Sequence, residues 1–209
     1  MSIKLKHSGG NSVSLNAPTS APTSTEVAFK LPNADGSANQ LLKTDGSGNL
    51  GFVAQGVAGL TMVDAWGVST DATYSSGSYI DSHWIRRTGT HGGNVGSAMT
   101  ESSGAFTFPS TGLYLLLMQF GFYANSGTQS FAGIQVHLST DGGSNYSSVS
   151  DFYTSSQNSQ NLRPIGQELF DVTNASNFKI KFQFQGANNI MLQNGQGRTS
   201  IIFIRYGDT

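Results

Sequence analysis

The 209-residue chain contains no cysteine and few charged residues. The absence of cysteine excludes disulfide bonds and thiolate-ligated metal sites. Charged residues make up 11% of the chain, against about 25% in typical soluble domains. The net charge of -1 supplies no basic surface for a nucleic acid backbone or an anionic membrane. We therefore expect neither of these among its partners.

Long hydrophobic runs are also missing. The longest apolar stretch, Leu113–Met118, stops at Gln119, whereas a helix that crosses a bilayer needs about 20 apolar residues. The first eight residues, Met1 to Ser8, do not contain the apolar core of a signal peptide. We expect no membrane insertion.

Recognisable catalytic motifs are absent as well. The chain has no Gly-x-Ser-x-Gly nucleophile elbow and no Gly-x-x-x-x-Gly-Lys phosphate loop. Five scattered acidic residues of its second part do not form an obvious glycosidase pair; they are Asp81, Glu101, Asp151, Glu168 and Asp171. The sequence predicts a protein that is not an enzyme and has no catalytic residue and no cofactor.

The four histidines do not have the spacing of metal ligands. They are His7, His83, His91 and His137, and no two of them form a motif such as His-x-His. A threefold axis would still gather three copies of one histidine, with His137 the first to test. The turn Asp141–Asn145 offers too few oxygens for Ca²⁺, which takes 6–8. The prediction is that no metal is bound, with a site on an axis left open.

What the sequence does have is strand patterns that are apolar on both faces. Side chains alternate along a strand, so Leu113, Leu115 and Leu117 point away from Tyr114, Leu116 and Met118. The stretch Ile201–Ile204 is likewise apolar throughout. One face can meet a second sheet, and the other predicts contact with a neighbouring subunit. The predicted interface residues are Leu113, Leu115, Leu117, Ile201 and Phe203.

Residues 58–209 are predicted to form an all-β domain, called the knob below. Nine candidate strands follow one another, and no ten-residue stretch has a helical period. They are Leu60–Trp66, Tyr79–Arg87, Ala105–Phe108, Leu113–Tyr123, Phe131–Thr140, Tyr146–Tyr153, Pro164–Val172, Phe178–Gln185 and Thr199–Tyr206. The segment Phe178–Gln185 alternates apolar and polar residues without a break. This pattern predicts a sandwich of two sheets.

Residues 1–57, called the arm below, have a different composition. They hold three of the five prolines, but only two aromatic residues. Short strand patterns occur at Ile3–His7 with Val13–Leu15, at Val27–Leu31, and at Gln40–Lys43 with Leu50–Val53. Proline favours an extended chain between them. The arm has too little apolar surface to fold alone, so we expect it to need partners.

Five residues of the knob resemble the motif of the complement and tumour-necrosis-factor-like jelly rolls. Asn94, Met99, Phe106, Gly112 and Tyr114 stand at that family's spacing. The resemblance covers roughly residues 60–207, although Thr88 replaces an aromatic residue of the pattern. It implies a jelly-roll sandwich that forms a homotrimer around a threefold axis.

The arm resembles the N-terminal parts of tail-fibre and head-fibre proteins of marine bacteriophages. The similar segments are Ser2–Asn11 and Leu31–Val53, and a third similar segment, Asp171–Ser176, lies in the knob. The resemblance implies a structural protein on the virion surface, on the tail or the capsid exterior. Residues 1–53 would attach to other virion proteins, and the knob would face the host. The alternative is a capsid decoration or cement protein without a receptor.

Besides the turn Asp141–Asn145, whose hydrogen-bonding groups suit glycans, two places are candidates for binding a host-surface glycan or protein. The first is Trp84 beside Arg86 and Arg87, because tryptophan and arginine dominate binding hot spots. Packing in the core is the alternative for Trp84. The second is the predicted polar loop Thr154–Leu162, whose amides suit hydroxyl-rich ligands; its candidate residues are Gln157, Asn158, Gln160 and Asn161. A plain solvated loop is the alternative there.

Overall fold

The computed structural model describes residues 2–16, 18–24, 26–54, 60–124, 129–159, 161–186, 190–195 and 197–208. Within some strands, a few side chains are not described. The chain divides into two compact units, Met1–Ala58 and Gly59–Thr209. They correspond to the arm and the knob, and each is described by itself.

The arm contains two antiparallel hairpins. Strands β1 (Ser2–Lys6) and β2 (Ser12–Asn16) form the first, and β3 (Gln40–Thr44) and β4 (Leu50–Ala54) form the second. The predicted strand at residues 27–31 is wrong. Only Lys30 forms a bridge there, with Asn49 of the second hairpin. Its amide donates a hydrogen bond to the Gly48 carbonyl, and its carbonyl accepts one from the Leu50 amide.

The turn of the second hairpin is held by one carboxylate. Asp45 accepts hydrogen bonds from the backbone amides of Ser47 (2.8 Å) and Asn49 (3.1 Å). These bonds, led by the one from the Asn49 side chain, hold the pKa of Asp45 below its usual value. Gly48 takes a φ of 86° there, a conformation that favours glycine. The Asp-Gly-Ser-Gly phrase therefore forms the turn that its composition predicts.

The regular secondary structure in the described part of the knob consists almost wholly of β-strands. In chain order they are β5 (Met62–Val68), β6 (Ala72–Tyr74), β7 (Trp84–Arg86), β8 (Asn94–Gly96), β9 (Thr100–Ser102), β10 (Ala105–Thr107), β11 (Gly112–Gln119), β12 (Phe122–Ala124), β13 (Gln129–Ser139), β14 (Ser147–Ser159), β15 (Asn161–Leu162), β16 (Ile165–Val172), β17 (Lys179–Gly186), β18 (Ile190–Leu192) and β19 (Ser200–Gly207). The described residues contain one helical element, a 3₁₀ turn at Gly89–His91. No described helix is long and apolar enough to span a membrane.

Two antiparallel sheets face each other across the core. The six-stranded sheet has the order β16-β11-β19-β5-β7, with β8 also paired to β5. The five-stranded sheet has the order β14-β13-β17-β10-β9. Strands β15, β12, β18 and β6 form a short third sheet. The predicted all-β sandwich of two main sheets is confirmed.

Aromatic side chains fill the space between the sheets. Phe106, fully buried, lies 5.3 Å from Trp66 and 5.8 Å from Phe182, measured between ring centroids. Phe203 from the six-stranded sheet lies 5.5 Å away. These rings belong to β5, β10, β17 and β19, so Phe106 ties both sheets together. Edge-on arrangements such as that with Trp66, at 89°, are favourable for aromatic pairs.

Three strand predictions have wrong boundaries. The predicted strand Tyr79–Arg87 is strand only over Trp84–Arg86. The predicted strand Leu113–Tyr123 is broken after Gln119, and its end joins the short third sheet as β12. Gly121 lies at this break, where a Cβ atom would come 3.2 Å from the backbone of Arg198. The predicted loop Thr154–Leu162 is instead strand up to Ser159, because β14 pairs with the long strand β13. Tertiary pairing overrides the polar composition there.

A buried carboxylate lies in the middle of the six-stranded sheet. Asp64 on β5 is 0% exposed and accepts hydrogen bonds from Arg86 Nε (2.8 Å) and from the Met99 amide (2.9 Å). The Arg86 guanidinium also lies 4.5 Å from the Trp66 ring. Arg86 and Asp64 thus connect β7 and β5 through their side chains as well as through the backbone.

We predict that Asp64→Asn lowers the free energy of unfolding by about 3 kcal/mol. This is the lower end of the range for breaking a buried ion pair, because the Arg86 side chain is 32% exposed. Denaturant unfolding followed by tryptophan fluorescence measures the change. The control is Asp208→Asn, since Asp208 pairs with Arg205 but is 89% exposed; its stability should hardly change. Equal stability of the two variants would contradict the prediction.

We predict that a fragment of residues 58–209 folds without the arm, whereas residues 1–57 do not fold alone. The knob has its own core, but the arm offers few apolar groups against an ordering cost of about 1–2 kcal/mol per residue. Circular dichroism and limited proteolysis of both fragments give the answer. An unfolded knob fragment would show that the division lies elsewhere.

Candidate functional site

The outer face of the six-stranded sheet is apolar. Strand β11 alternates between fully buried and partly exposed residues, and Leu113, Leu115 and Leu117 are the partly exposed set. On the edge strand β16, Leu169 is 53% exposed and Ile165 is 69% exposed. We call this surface the open face. Its apolar side chains are Val63, Ala65, Val95, Leu113, Leu115, Leu117, Ile165, Leu169, Ile202 and Ile204.

Strand register arranges these side chains in rows across the sheet. One row is apolar over five strands; it consists of Leu169, Leu115, Ile204, Val63 and Val95. The neighbouring row has polar ends; it consists of Gln167, Leu117, Ile202, Ala65 and Arg87. The open face therefore has a continuous apolar centre that is bordered by polar groups.

Such a surface is typical of an interface. The solvent face of an antiparallel sheet usually carries polar side chains. Monomeric proteins rarely expose contiguous apolar patches larger than a few hundred Å². The open face departs from the first of these patterns, so it is the best candidate for a functional surface in the described part of the knob.

The structure corrects two of the predicted interface residues. Ile201 and Phe203 are 0% exposed and lie in the core, since Phe203 pairs with Leu116 and Ile201 with Met118. Their side chains are therefore not available to a neighbour.

Their chain neighbours, Ile202 and Ile204, take the outward positions and pair with Leu117 and Leu115. All four residues from Ile201 to Ile204 are apolar, so the sequence alone does not show whether Ile201 and Phe203 or Ile202 and Ile204 point outward. Val63, Val95, Ile165 and Leu169 were missed as well, because only the strand order places them beside β11 and β19.

A guanidinium group lies at the edge of the open face without a carboxylate partner among the described residues. Arg87 Nη2 donates hydrogen bonds to the carbonyl oxygens of Gly195 (3.2 Å) and Thr199. Burial lowers the pKa of Arg87. The group lines a depression of about 490 Å³ together with Val95 and Ile202. Arg87 is thus poised at a surface that offers both apolar and hydrogen-bonding contacts.

The outer face of the five-stranded sheet is polar by contrast. Gln185 Nε2 donates hydrogen bonds to the side-chain carbonyls of Gln135 (2.8 Å) and Gln183 (2.9 Å). At one end of this polar face, Phe131 and Tyr153 are exposed, with their rings 6.3 Å apart. The two sheets therefore present outer surfaces of opposite character, and the polar one suits contact with water or with a hydroxyl-rich ligand.

His137 lies on this polar face and not on the open face. Its Nδ1 is 3.1 Å from the Tyr79 hydroxyl, and burial lowers the pKa of the ring below its ordinary 6.5. Lys181 lies 5.2 Å from the Tyr79 ring and 5.1 Å from the Tyr146 ring. Assembly through the open face would keep copies of His137 apart. The described residues contain no group of three or more His, Asp or Glu side chains placed to hold a metal.

The oxygens of the turn Asp141–Asn145 are already used. The Asp141 carboxylate accepts hydrogen bonds from the amides of Ser144 and Asn145, both at 3.0 Å, and from Ser139 Oγ at 2.7 Å. These bonds, with that from the Asn145 side chain as the largest cause, strongly lower the pKa of Asp141. The carboxylate closes the turn itself, which is the ordinary role of such a sequence.

Of the five predicted ligand-binding residues, the structure describes the side chains of Trp84 and Asn161. Trp84 packs against the core, with its ring 5.1 Å from Phe106, and its indole N–H donates to the Ile80 carbonyl at 2.8 Å. Trp84 therefore packs in the core, which was the alternative to a ligand-binding role. Asn161 is exposed on β15.

The other three residues were predicted in the same polar segment. Gln157 and Asn158 belong to β14, but their side chains lie outside the described part of the structure. Gln160 lies outside the described residues altogether.

Comparisons with known proteins identify the fold. No protein-family model and no curated protein matches the chain. Among solved structures, the Eiger tumour necrosis factor from S. frugiperda is similar with a TM-score of 0.55 and 13% identity, over 70% of this chain and 93% of that one.

Murine APRIL at pH 5.0 is similar with a TM-score of 0.52 and 13% identity, over 69% and 98% of the two chains. Identities this low establish the fold and nothing further. The knob of this protein therefore has the tumour-necrosis-factor-like jelly-roll fold that residues Asn94 to Tyr114 predicted.

Proposed function

We propose that this protein is a non-enzymatic structural protein that assembles as a homotrimer through the open face. The observation that carries the proposal is the apolar row across five strands, which includes Leu115, Ile204 and Val63. Burying a large aliphatic side chain contributes about 1.5–3 kcal/mol. The open face has nine such positions besides Ala65, so it has a strong driving force for association.

A trimer is favoured over a dimer by the shape of the fold and by the arrangement of the open face. The motif around Phe106 and Tyr114 resembles that of the complement and tumour-necrosis-factor-like jelly rolls. This resemblance implies three subunits around an axis. The two ends of the row through Leu117 differ, with Gln167 at one edge and Arg87 at the other. A twofold dimer pairs identical patches, whereas a ring of three joins unlike edges, so in a trimer Gln167 of one subunit would meet Arg87 of the next.

We further propose that the trimer is a short bacteriophage fibre or spike. The arm would attach to other virion proteins through residues 1–53, and the knob would be displayed on the virion surface. The support is the resemblance of Ser2–Asn11 and Leu31–Val53 to phage fibre arms. Exposed apolar residues in the arm agree with a segment that needs partners; among them are Phe29 and Leu31, at 65% and 78% exposure.

The displayed knob would recognise a host-surface polymer, such as a glycan. The candidate residues are Gln157, Asn158, Gln160 and Asn161; the first two belong to β14 of the five-stranded sheet, which also exposes Tyr153, and Asn161 lies on β15 of the third sheet. Three copies would raise a weak single-site affinity by about 10²–10⁴-fold where spacing permits. The second candidate function is capsid decoration without receptor binding, and the largely uncharged polar surface fits it equally well.

We predict that the purified protein has three times the 22.1 kDa chain mass in light scattering after size exclusion. Leu115→Asp should remove the trimer, because it places three charges in an apolar interface. Phe203→Asp should prevent folding, since that side chain lies in the core. Gln183→Asp, on the polar face, is the control and should remain a folded trimer. A stable monomeric wild-type protein at micromolar concentration would refute the assembly.

For receptor recognition, we predict that labelled full-length trimer binds host cells and that an excess of it blocks phage adsorption. Alanine at Gln157, Asn158, Gln160 and Asn161 together should reduce cell binding at least tenfold without changing the trimer mass. Alanine at the exposed Ser102, on β9 at the opposite edge of the five-stranded sheet, serves as the control. If a saturating concentration leaves adsorption unchanged and no cell binding is measured, capsid decoration replaces receptor recognition.

A further inference from the structure

The first hairpin of the arm presents a second apolar face. The register of β1 and β2 places Ile3 opposite Leu15 and Leu5 opposite Val13. Paired residues of a hairpin point to the same side, so these four side chains share one face. They are 65%, 69%, 66% and 72% exposed, in that order. The hairpin thus has an apolar face of the kind that packs in a protein core, but this face is exposed.

The opposite face of the same hairpin is polar and positive. Lys4 pairs with Ser14, and Lys6 pairs with Ser12. Residues 2–16 contain no acidic residue. Charge and apolar surface are therefore fully separated between the two sides of the hairpin.

Local hydrogen bonds define the turn but do not cover the apolar face. The His7 amide donates to the Asn11 carbonyl at 2.7 Å, and the Gly10 amide donates to the His7 carbonyl at 3.0 Å. Among the described residues, β1 and β2 pair only with each other. An isolated two-stranded hairpin is at best marginally stable in water, so this hairpin needs a partner that covers its apolar side.

The size of the face decides which partner fits. A specific interface between free proteins uses about 20–30 residues a side, and the two strands together supply ten. Such a face is too small to hold a freely diffusing protein firmly. Identical hairpins tethered to one trimer meet at a raised effective concentration, and a small face is then sufficient.

We propose that the apolar faces of the three first hairpins of a trimer pack against one another. This inference rests on the proposed homotrimer. Ile3, Leu5, Val13 and Leu15 of each copy form a closed apolar centre with threefold symmetry. Lys4 and Lys6 of all three copies then point outward, where they are available to acidic groups of another virion protein.

Cross-linking of single cysteines tests the packing, because the natural chain has none. Full-length Leu15→Cys places a thiol on the apolar face, and Ser14→Cys places one on the polar face of the same strand. A short bis-maleimide is used because a disulfide would require Cα atoms within about 7 Å. The products are separated on a denaturing gel, and light scattering checks that the protein is still a single trimer.

We expect at least fivefold more cross-linked dimer from Leu15→Cys than from Ser14→Cys. Val13→Cys with Ser12→Cys as its control provides a second pair, which guards against a local disturbance at one position. A trimer that gives equal cross-linking at both positions of both pairs overturns the inference and leaves the proposed trimer standing. A monomer in light scattering overturns the proposed assembly itself.

A comparison of purified trimer with intact virus particles shows whether another virion protein, and not a neighbouring hairpin, covers the apolar face. If the thiol of Leu15→Cys reacts freely with maleimide in the purified trimer but is protected in the virion, another virion protein covers the face and the inference is wrong. Protection already present in the purified trimer, together with a reactive Ser14→Cys, supports the three-hairpin packing.

Discussion

The six-stranded sheet carries apolar side chains on both faces, and the knob buries only one of them. The inner face meets the five-stranded sheet through Phe106, Phe182 and Phe203. The outer face, around Leu115 and Ile204, has no such cover from a second main sheet. Because the hydrophobic effect is proportional to the apolar area removed from water, the same force that closes the sandwich also drives association of the open face.

Two consecutive arginines show how the strand period separates structural from surface roles. Arg86 points inward, where it neutralises the buried Asp64 and covers the Trp66 ring. Arg87 points outward and reaches the edge of the open face. A shift of one residue in the register of β5 would turn Asp64 to the outer face of the sheet, away from Arg86. The buried pair therefore opposes register errors in the sheet that forms the proposed interface.

The low charge of the chain is reflected in the outer face of the five-stranded sheet and in the first hairpin of the arm. On the five-stranded sheet, a network of Gln135, Gln183 and Gln185 provides polar groups without net charge. On the first hairpin of the arm, the apolar side chains and the lysines lie on opposite faces. In both units, one side is suited to solvent and the other to a protein partner.

The sequence determined the fold class, because alternation along stretches such as Phe178–Gln185 depends only on the strand period. It also predicted the turn at Asp45 and the apolar outer side of β11, both of which depend on neighbouring residues. It did not determine which of Ile201–Ile204 faces outward, since all four are apolar. It also did not distinguish the strand that runs through Thr154 from a polar loop.

Those assignments came from pairing between distant segments. The register of β19 against β11 turned Ile202 and Ile204 outward, and the length of β13 extended β14. The strand order placed Val63, Val95 and Leu169 beside Leu115, which completed the open face. Local patterns report the period of a strand, but its partner and its phase are set by contacts between residues far apart in the chain, and only the tertiary structure decides these.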